Sequence, residues 1–191
     1  QVGGGAGLIA FVSERDGNPE IYVMNPDGSD QRNLTRNEAV DAAPAWSADG
    51  TRIAFLSDRT GEFQLYVIDL EDPQSPTIQQ VTYLPGIMPP DSAGPLQWSP
   101  DGRQMVMYRV KEDEGGFSTR LYLVNLADSR GEFLFQEPGE YQEDANAAWS
   151  PDGTRVAFQR FDQRASWLYL AELSSGEVRP VERNSGWASA W

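Results

Sequence analysis

Carboxylates are the reactive side chains this sequence supplies in quantity: 29 Asp and Glu stand against 15 Lys and Arg, with no His and no Cys. Three acids, Asp41, Asp91 and Asp144, precede Trp46, Trp98 and Trp149 by five, seven and five residues, and carboxylates at that repeated station could ring a channel mouth and gather a cation. The competing use is local, because an Asp where a strand leaves a loop accepts backbone hydrogen bonds at its own turn. Gly186 holds the fourth equivalent position and breaks any symmetric ring. Two acidic runs add to the supply: Glu112, Asp113 and Glu114 in one, and Glu137, Glu140, Glu143 and Asp144 in the next. Each suits a docking patch for a basic partner, a loose Ca²⁺ site of carboxylates and carbonyls, or a merely solvated surface. No EF-hand spacing accompanies them, and no other cofactor is implied.

The missing residue types exclude whole classes of chemistry. Without His there is no Ser-His-Asp or Cys-His machinery and no imidazole-ligated metal. Without Cys there is no disulfide framework, zinc ribbon, iron–sulfur centre or thiol nucleophile. Lys111 is the single lysine, and the acids that follow it would raise its pKa, the wrong direction for a nucleophile. A net charge of −14 argues against binding a phosphate backbone, so no nucleic-acid partner is expected. No apolar run is long enough to span a membrane. The chain opens Gln1-Val2-Gly3-Gly4-Gly5 without Met, so any signal peptide lies outside it.

What must position the remaining acids is a tandem repeat. Trp46-Ser47-Ala48-Asp49-Gly50, Trp98-Ser99-Pro100-Asp101-Gly102 and Trp149-Ser150-Pro151-Asp152-Gly153 are nearly one sentence, each followed by an apolar strand ending in Phe55, Met107 or Phe158. A fourth copy is split between the ends, as Leu8-Ile9-Ala10-Phe11 and Ala188-Ser189-Ala190-Trp191. Successive tryptophans are 52, 51 and 42 residues apart, the length of a four-stranded propeller blade. A second aromatic strand follows each copy, at Ile21-Tyr22-Val23, Leu65-Tyr66-Val67, Leu121-Tyr122-Leu123 and Leu168-Tyr169-Leu170, and a shorter segment closes it. The alternation predicts strand throughout and no amphipathic helix. Asp-Gly reads as the hairpin link between first and second strands, Gly because positive φ costs it nothing and Asp because it tolerates that region. The tryptophan would fill the space between blades.

These residues resemble the TolB-like family of β-propellers, with its W-S-P-D-G core, I-A-F strand, S-x-R-x-G element and I-Y-V strand. Ser13-Glu14-Arg15-Asp16-Gly17 and Ser57-Asp58-Arg59-Thr60-Gly61 match the third element closely, while Arg109 and Arg160 are loose counterparts without the glycine. The resemblance implies an all-β propeller of four-stranded antiparallel blades, with four blade equivalents in this chain. Residues 1–6 read as a flexible N-terminal segment and 7–191 as the propeller, in blades at 7–40, 41–90, 91–143 and 144–186. The segment 187–191 would supply the innermost strand of the first blade and close a four-bladed ring. An excised piece of a larger propeller, or two chains self-associating into one ring, are the open alternatives.

On such a blade the second-to-third and blade-connecting loops share one face, which here carries the variable insertions 83–95, 111–118 and 136–144. Beside the acids, Tyr83 and Met88 stand in an apolar, proline-stiffened insertion, read either as contact anchors or as cover for their own blade. A propeller glycosidase would need paired carboxylates on the innermost strands, yet the residues leading to each tryptophan, Ala43-Pro44-Ala45, Pro95-Leu96-Gln97, Asn146-Ala147-Ala148 and Ala188-Ser189-Ala190, contain none. The sequence therefore reads as a non-catalytic propeller mediating protein–protein interaction or assembly. The family resemblance implies a periplasmic, secreted or cell-surface location. Two other readings stay open: the accessory propeller of a prolyl-oligopeptidase-like hydrolase, and a propeller binding a small ligand or sugar.

Overall fold

In the computed structural model the described residues are 7–72, 75–90, 94–113, 116–134, 143–161 and 166–184. They form fifteen strands, and no α-helix occurs among them. The chain divides into two compact units, residues 1–92 and 93–191. The first unit holds a three-stranded sheet, β1 (Ile9–Ser13), β2 (Glu20–Met24) and β3 (Arg32–Asn33), and a four-stranded sheet, β4 (Asp41–Trp46), β5 (Arg52–Ser57), β6 (Gln64–Asp69) and β7 (Thr77–Gln80). The second holds two four-stranded sheets: β8 (Gln97–Trp98), β9 (Gln104–Asp113), β10 (Gly116–Asn125) and β11 (Gly131–Phe133), then β12 (Glu143–Trp149), β13 (Arg155–Phe161), β14 (Ser166–Glu172) and β15 (Glu177–Asn184). Consecutive strands are antiparallel neighbours in every sheet, the up-and-down meander of a propeller blade.

The repeated Ser-x-Asp-Gly turn shows why it recurs. Gly50 N donates to Ser47 O at 3.0 Å and Ser47 N to Arg52 O at 2.9 Å, so four residues bridge the strands rather than two. Gly50, Gly102 and Gly153 take φ of 69°, 66° and 70°, as the sequence requires of them. Asp49, Asp101 and Asp152 do not enter the positive-φ region. Their work is hydrogen bonding, which corrects the conformational reason read from sequence. The Ser47 hydroxyl donates to Asp49 Oδ1 at 2.6 Å and accepts from Arg52 N at 3.0 Å, while Asp49 Oδ1 also accepts from Thr51 N at 3.0 Å. Ser99 with Asp101 and Ser150 with Asp152 repeat the arrangement, each at 2.6 Å.

The tryptophans join neighbouring sheets within each unit. Trp46 packs in one buried cluster with Ile21 and Val23 of the first sheet and Ile53, Phe55, Tyr66 and Ile68 of its own. In the second unit Trp149 Nε1 donates to Gln97 O at 3.2 Å, on the innermost strand of the preceding sheet. Ala147 N donates to Tyr108 Oη at 3.1 Å across the same pair of sheets, where burial pushes the Tyr108 hydroxyl pKa up.

Equivalent bulges interrupt β4 and β12. One extra residue enters between Ala42 and Ala45 and between Ala145 and Ala148, with Ala43 at φ 54° and Asn146 at φ 51°. A non-glycine residue held there costs on the order of 1–3 kcal/mol, so the bulge must return something. Its effect is on facing. Asp41 and Trp46 are five apart and would lie on opposite sides of a regular strand. With the bulge they register with Ser57 and Ile53, four apart on β5, and therefore share a face. Asp144 and Trp149 do the same against Arg160 and Val156.

The turn carboxylates make the fold acid-sensitive. Hydrogen bonds from Ser47, Ser99 and Ser150 lower the Asp49, Asp101 and Asp152 pKa values, Asp152 to about 2. A depressed carboxylate pKa contributes stability that is complete above the unfolded value of about 4 and is lost as pH falls below it. Thermal melts should show Tm falling between pH 4 and pH 2 for the wild-type chain, with a shallower fall when Asp49, Asp101 and Asp152 are all replaced by Asn.

Candidate functional site

The bulged strands deliver Asp41 and Asp144 to the ends of their sheets, where each meets an arginine. Asp41 is fully buried, and both its oxygens accept from Arg59 Nη2, at 3.0 and 3.1 Å. Arg59 Nε donates to Ser57 Oγ at 2.9 Å, and its guanidinium lies 4.7 Å from the Tyr66 ring centroid and 5.5 Å from that of Phe55. In the fourth sheet the pair is bidentate, with Arg160 Nε to Asp144 Oδ1 at 2.7 Å and Nη2 to Oδ2 at 3.0 Å. Arg160 stands 5.2 Å from the Tyr169 centroid and 5.4 Å from Phe158.

The other two sheets repeat the cation over the rings. Arg15 lies 4.7 Å from Tyr22, and Arg109 lies 4.5 Å from Tyr122 and 5.2 Å from Phe133. The loose counterparts Arg109 and Arg160 therefore lie over the same third-strand tyrosine as Arg15 and Arg59, Arg109 with Phe133 of the fourth strand as its second ring in place of a second-strand phenylalanine.

Asp144 has one further task. Equivalent amides of β2 and β6 take a threonine hydroxyl as acceptor: Ile21 N donates to Thr35 Oγ1 at 3.1 Å and Leu65 N to Thr82 Oγ1 at 2.9 Å. In the third sheet the sequence has Phe135 where those threonines stand. There Leu121 N donates instead to Asp144 Oδ2 at 3.3 Å, so this carboxylate ties two sheets of the second unit.

Asp41 and Asp144, raised from sequence as cation ligands, have their carboxylates bonded to guanidinium and amide donors. Asp91, the third candidate, lies outside the described residues. Among the described residues no group of three or more acids could hold a metal ion. The innermost strands also begin earlier than the sequence reading placed them, so β4 and β12 do carry acids: Asp41, Glu143 and Asp144. Two of those three are committed to arginine.

The apolar insertion after β7 splits residue by residue. The Gln64 amide clasps Leu84 from both sides, Nε2 donating to Leu84 O at 2.8 Å and Oε1 accepting from Leu84 N at 3.0 Å. Ile87 is buried and Met88 half-buried, so this part lies against protein. Tyr83, between buried Thr82 and clasped Leu84, is 72% exposed.

The segment 111–118 is not a loop insertion. Residues 111–113 and 116–118 extend β9 and β10, ten-residue strands against five to seven in the equivalent hairpins. Register puts Glu112 opposite Phe117 and Asp113 opposite Gly116. Phe117 is 64% exposed while Ser118 and Arg120 are buried, an inversion of the usual polar-out pattern. Sequence reasoning passed over Phe117 because it read residues 111–118 as a loop insertion, where no facing is assigned. Its signal was the alternation with Ser118 and Arg120. Glu143 is exposed at the start of β12, a strand that packs against β10. Glu114, Glu140 and Trp191 lie outside the described residues.

A family model for the TolB beta propeller domain matches residues 4–115. A protein TolB homolog of Chlorobium luteolum is 28% identical over 173 residues, 90% of this chain and 35% of that protein. The Tol-Pal system protein TolB of Desulfosudis oleivorans is 42% identical over 64 residues, 34% of this chain and 15% of its own length. The crystal structure of TolB from Acinetobacter baumannii superimposes with a TM-score of 0.66 at 22% identity, over 93% of this chain and 42% of that one. The chain thus spans well under half the length of these relatives. Among the described residues no helix is long and apolar enough to cross a membrane.

Truncating Asp144 should be among the most damaging single changes. Asp144→Ala leaves Arg160 buried without its carboxylate, a loss of about 3–5 kcal/mol in urea denaturation. Millimolar Ca²⁺ should leave the wild-type Tm unmoved, since the buried carboxylates already have their cation.

Proposed function

The chain belongs to the TolB β-propeller domain family, and from that premise we propose that it is a non-catalytic propeller that binds protein partners outside the cytoplasm. The observation that carries this reading is the extended β9–β10 hairpin, where Phe117 is 64% exposed and registers opposite Glu112. An aromatic that fills no core is suited to anchoring a partner, and adjacent acids favour one with a basic surface. Glu114 continues the acidic run of Glu112 and Asp113 in sequence, and Glu140 and Glu143 belong to the second acidic run, of which Glu143 is exposed on a strand that packs against β10. Tyr83 is a second exposed anchor, in the first unit, pre-positioned by the Gln64 clasp, with half-buried Met88 four residues from Leu84. Holding an aromatic in one place before binding lowers the ordering cost of the complex.

Two further observations support the reading. The chain has neither His nor Cys, and the buried acids Asp41 and Asp144 are engaged by arginines. One relative is named for the Tol-Pal system, a set of proteins rather than a reaction. The location outside the cytoplasm rests on the family resemblance.

The test is an affinity capture with mass spectrometry, comparing the wild-type chain with a variant neutralised to Gln or Asn at Glu112, Asp113, Glu114, Glu140 and Glu143, and with Phe117→Ala. Partners should be lost from both variants, and from the wild type as salt is raised. Equal recovery by all three chains would defeat the acidic-hairpin reading.

A further inference from the structure

The third sheet departs from its neighbours at the end opposite the tip of the long hairpin. In the second and fourth sheets the residue pair at that end of the two central strands joins opposite charges, Arg52 facing Asp69 and Arg155 facing Glu172. The third sheet has two uncharged amides there, Gln104 facing Asn125, both half-buried. Alternation puts them on one face of the sheet with Leu123, and Glu132 registers opposite Leu123 on that same face.

A cavity of about 310 Å³ opens at this place, lined by Gln104, Leu123, Asn125, Asp128, Arg130 and Glu132, all within the second unit. Small-molecule sites start at about 300 Å³. Backbone bonds fix its wall: Asn125 N donates to Arg130 O at 2.7 Å and Leu126 N to Arg103 O at 3.0 Å. Two side chains hold the turn, Asn125 Oδ1 accepting from Ala127 N at 2.9 Å and Asp128 Oδ1 from Arg130 N at 3.1 Å. The remaining polar groups are not used up in this way. Among the described residues the Gln104 side-chain amide, Asn125 Nδ2 and the Glu132 carboxylate make no hydrogen bond. The Arg130 guanidinium reaches Asp128 Oδ2 only at 3.7 Å.

We propose that this cavity binds a neutral, polyhydroxylated ligand of saccharide type, at a site separate from the protein-binding hairpin and independent of that reading. Donors and acceptors alternate around one buried apolar residue. Gln104 Nε2, Asn125 Nδ2 and the Arg130 guanidinium donate, while Gln104 Oε1, Asp128 Oδ2 and Glu132 accept. A hydroxyl does both, so a ring of hydroxyls satisfies both kinds of group, and the C–H face of a sugar suits Leu123. Two carboxylates against one guanidinium disfavour an anionic ligand.

Amide chemical shifts of the whole chain test this, with glucose, galactose, N-acetylglucosamine and glucuronate as probes at millimolar concentration. At least one of the three neutral sugars should saturably shift the amides of Gln104, Asn125 and residues 128–132, and glucuronate should not. Gln104→Arg with Asn125→Asp writes the charge pair of the second sheet into the third. It keeps the turn bond, because Asp69 Oδ1 accepts from Glu71 N as Asn125 Oδ1 does from Ala127 N. That variant should keep the wild-type Tm and lose at least tenfold in sugar affinity. Glu132→Ala, at an exposed position, should show the same loss and serves if the double variant does not fold. The proposal is overturned if no neutral sugar shifts the cavity amides, if glucuronate shifts them equally, or if a folded variant keeps wild-type affinity. None of these results bears on partner capture through Phe117.

Discussion

A guanidinium laid over a pair of aromatic rings recurs in all four sheets, and the arrangement of the sheet ends depends on it. In the second and fourth sheets the same arginine neutralises a buried aspartate, so one side chain links the innermost strand, through Asp41 or Asp144, to the rings of the next two strands. In these two sheets each half supports the other. A buried carboxylate without a cation is costly, and an arginine stripped of its carboxylate would be left desolvated over the rings. The planar fork is what allows both contacts at once, since it can accept a ring against its face while donating along its edge.

The backbone gives way to make this contact. The five-residue spacing from Asp to Trp is incompatible with one face of a regular strand, and both partners are needed there, Trp to join the neighbouring sheet and Asp to hold the arginine. The bulges at Ala43 and Asn146 resolve the conflict at the cost of a left-handed residue in each strand. The deviation from ideal geometry therefore sits where two long-range contacts impose incompatible spacings.

Much of the architecture was legible because turn chemistry repeats. Ser-x-Asp-Gly requires a glycine at positive φ and a carboxylate beside a hydroxyl, and three copies fix where the strands turn. The hydrogen-bonding role of Asp49 was hidden because tolerance of positive φ and acceptance from a neighbouring hydroxyl favour the same residue type. Bulges leave no mark in a single strand's alternation, so Asp41 and Asp144 read as free carboxylates rather than as halves of ion pairs. Arg109 and Arg160 read only as loose counterparts because the motif is written with a glycine, whereas the physical requirement is a guanidinium within reach of the rings. Phe117 was missed because residues 111–118 read as a loop insertion, whereas they lengthen two paired strands and so give each side chain a face. It is also the residue on which the partner-binding reading rests most heavily.

Propeller sheets of this kind are rigid frames whose variable parts are loops and hairpin ends, which is why the exposed aromatics sit on the extended β9–β10 hairpin and just after β7 rather than within the repeated turns. The frame's integrity is the more basic question, and it turns on whether arginine's shape or only its charge is needed. Replacing Arg160 by Lys keeps the charge beside Asp144 but removes the second donor to the carboxylate and the planar contact with Tyr169 and Phe158. Urea denaturation should show Arg160→Lys destabilised by about 2 kcal/mol relative to wild type. Wild-type stability in that variant would contradict the account, because it would mean that a point charge suffices where a guanidinium laid over two rings is claimed to be required.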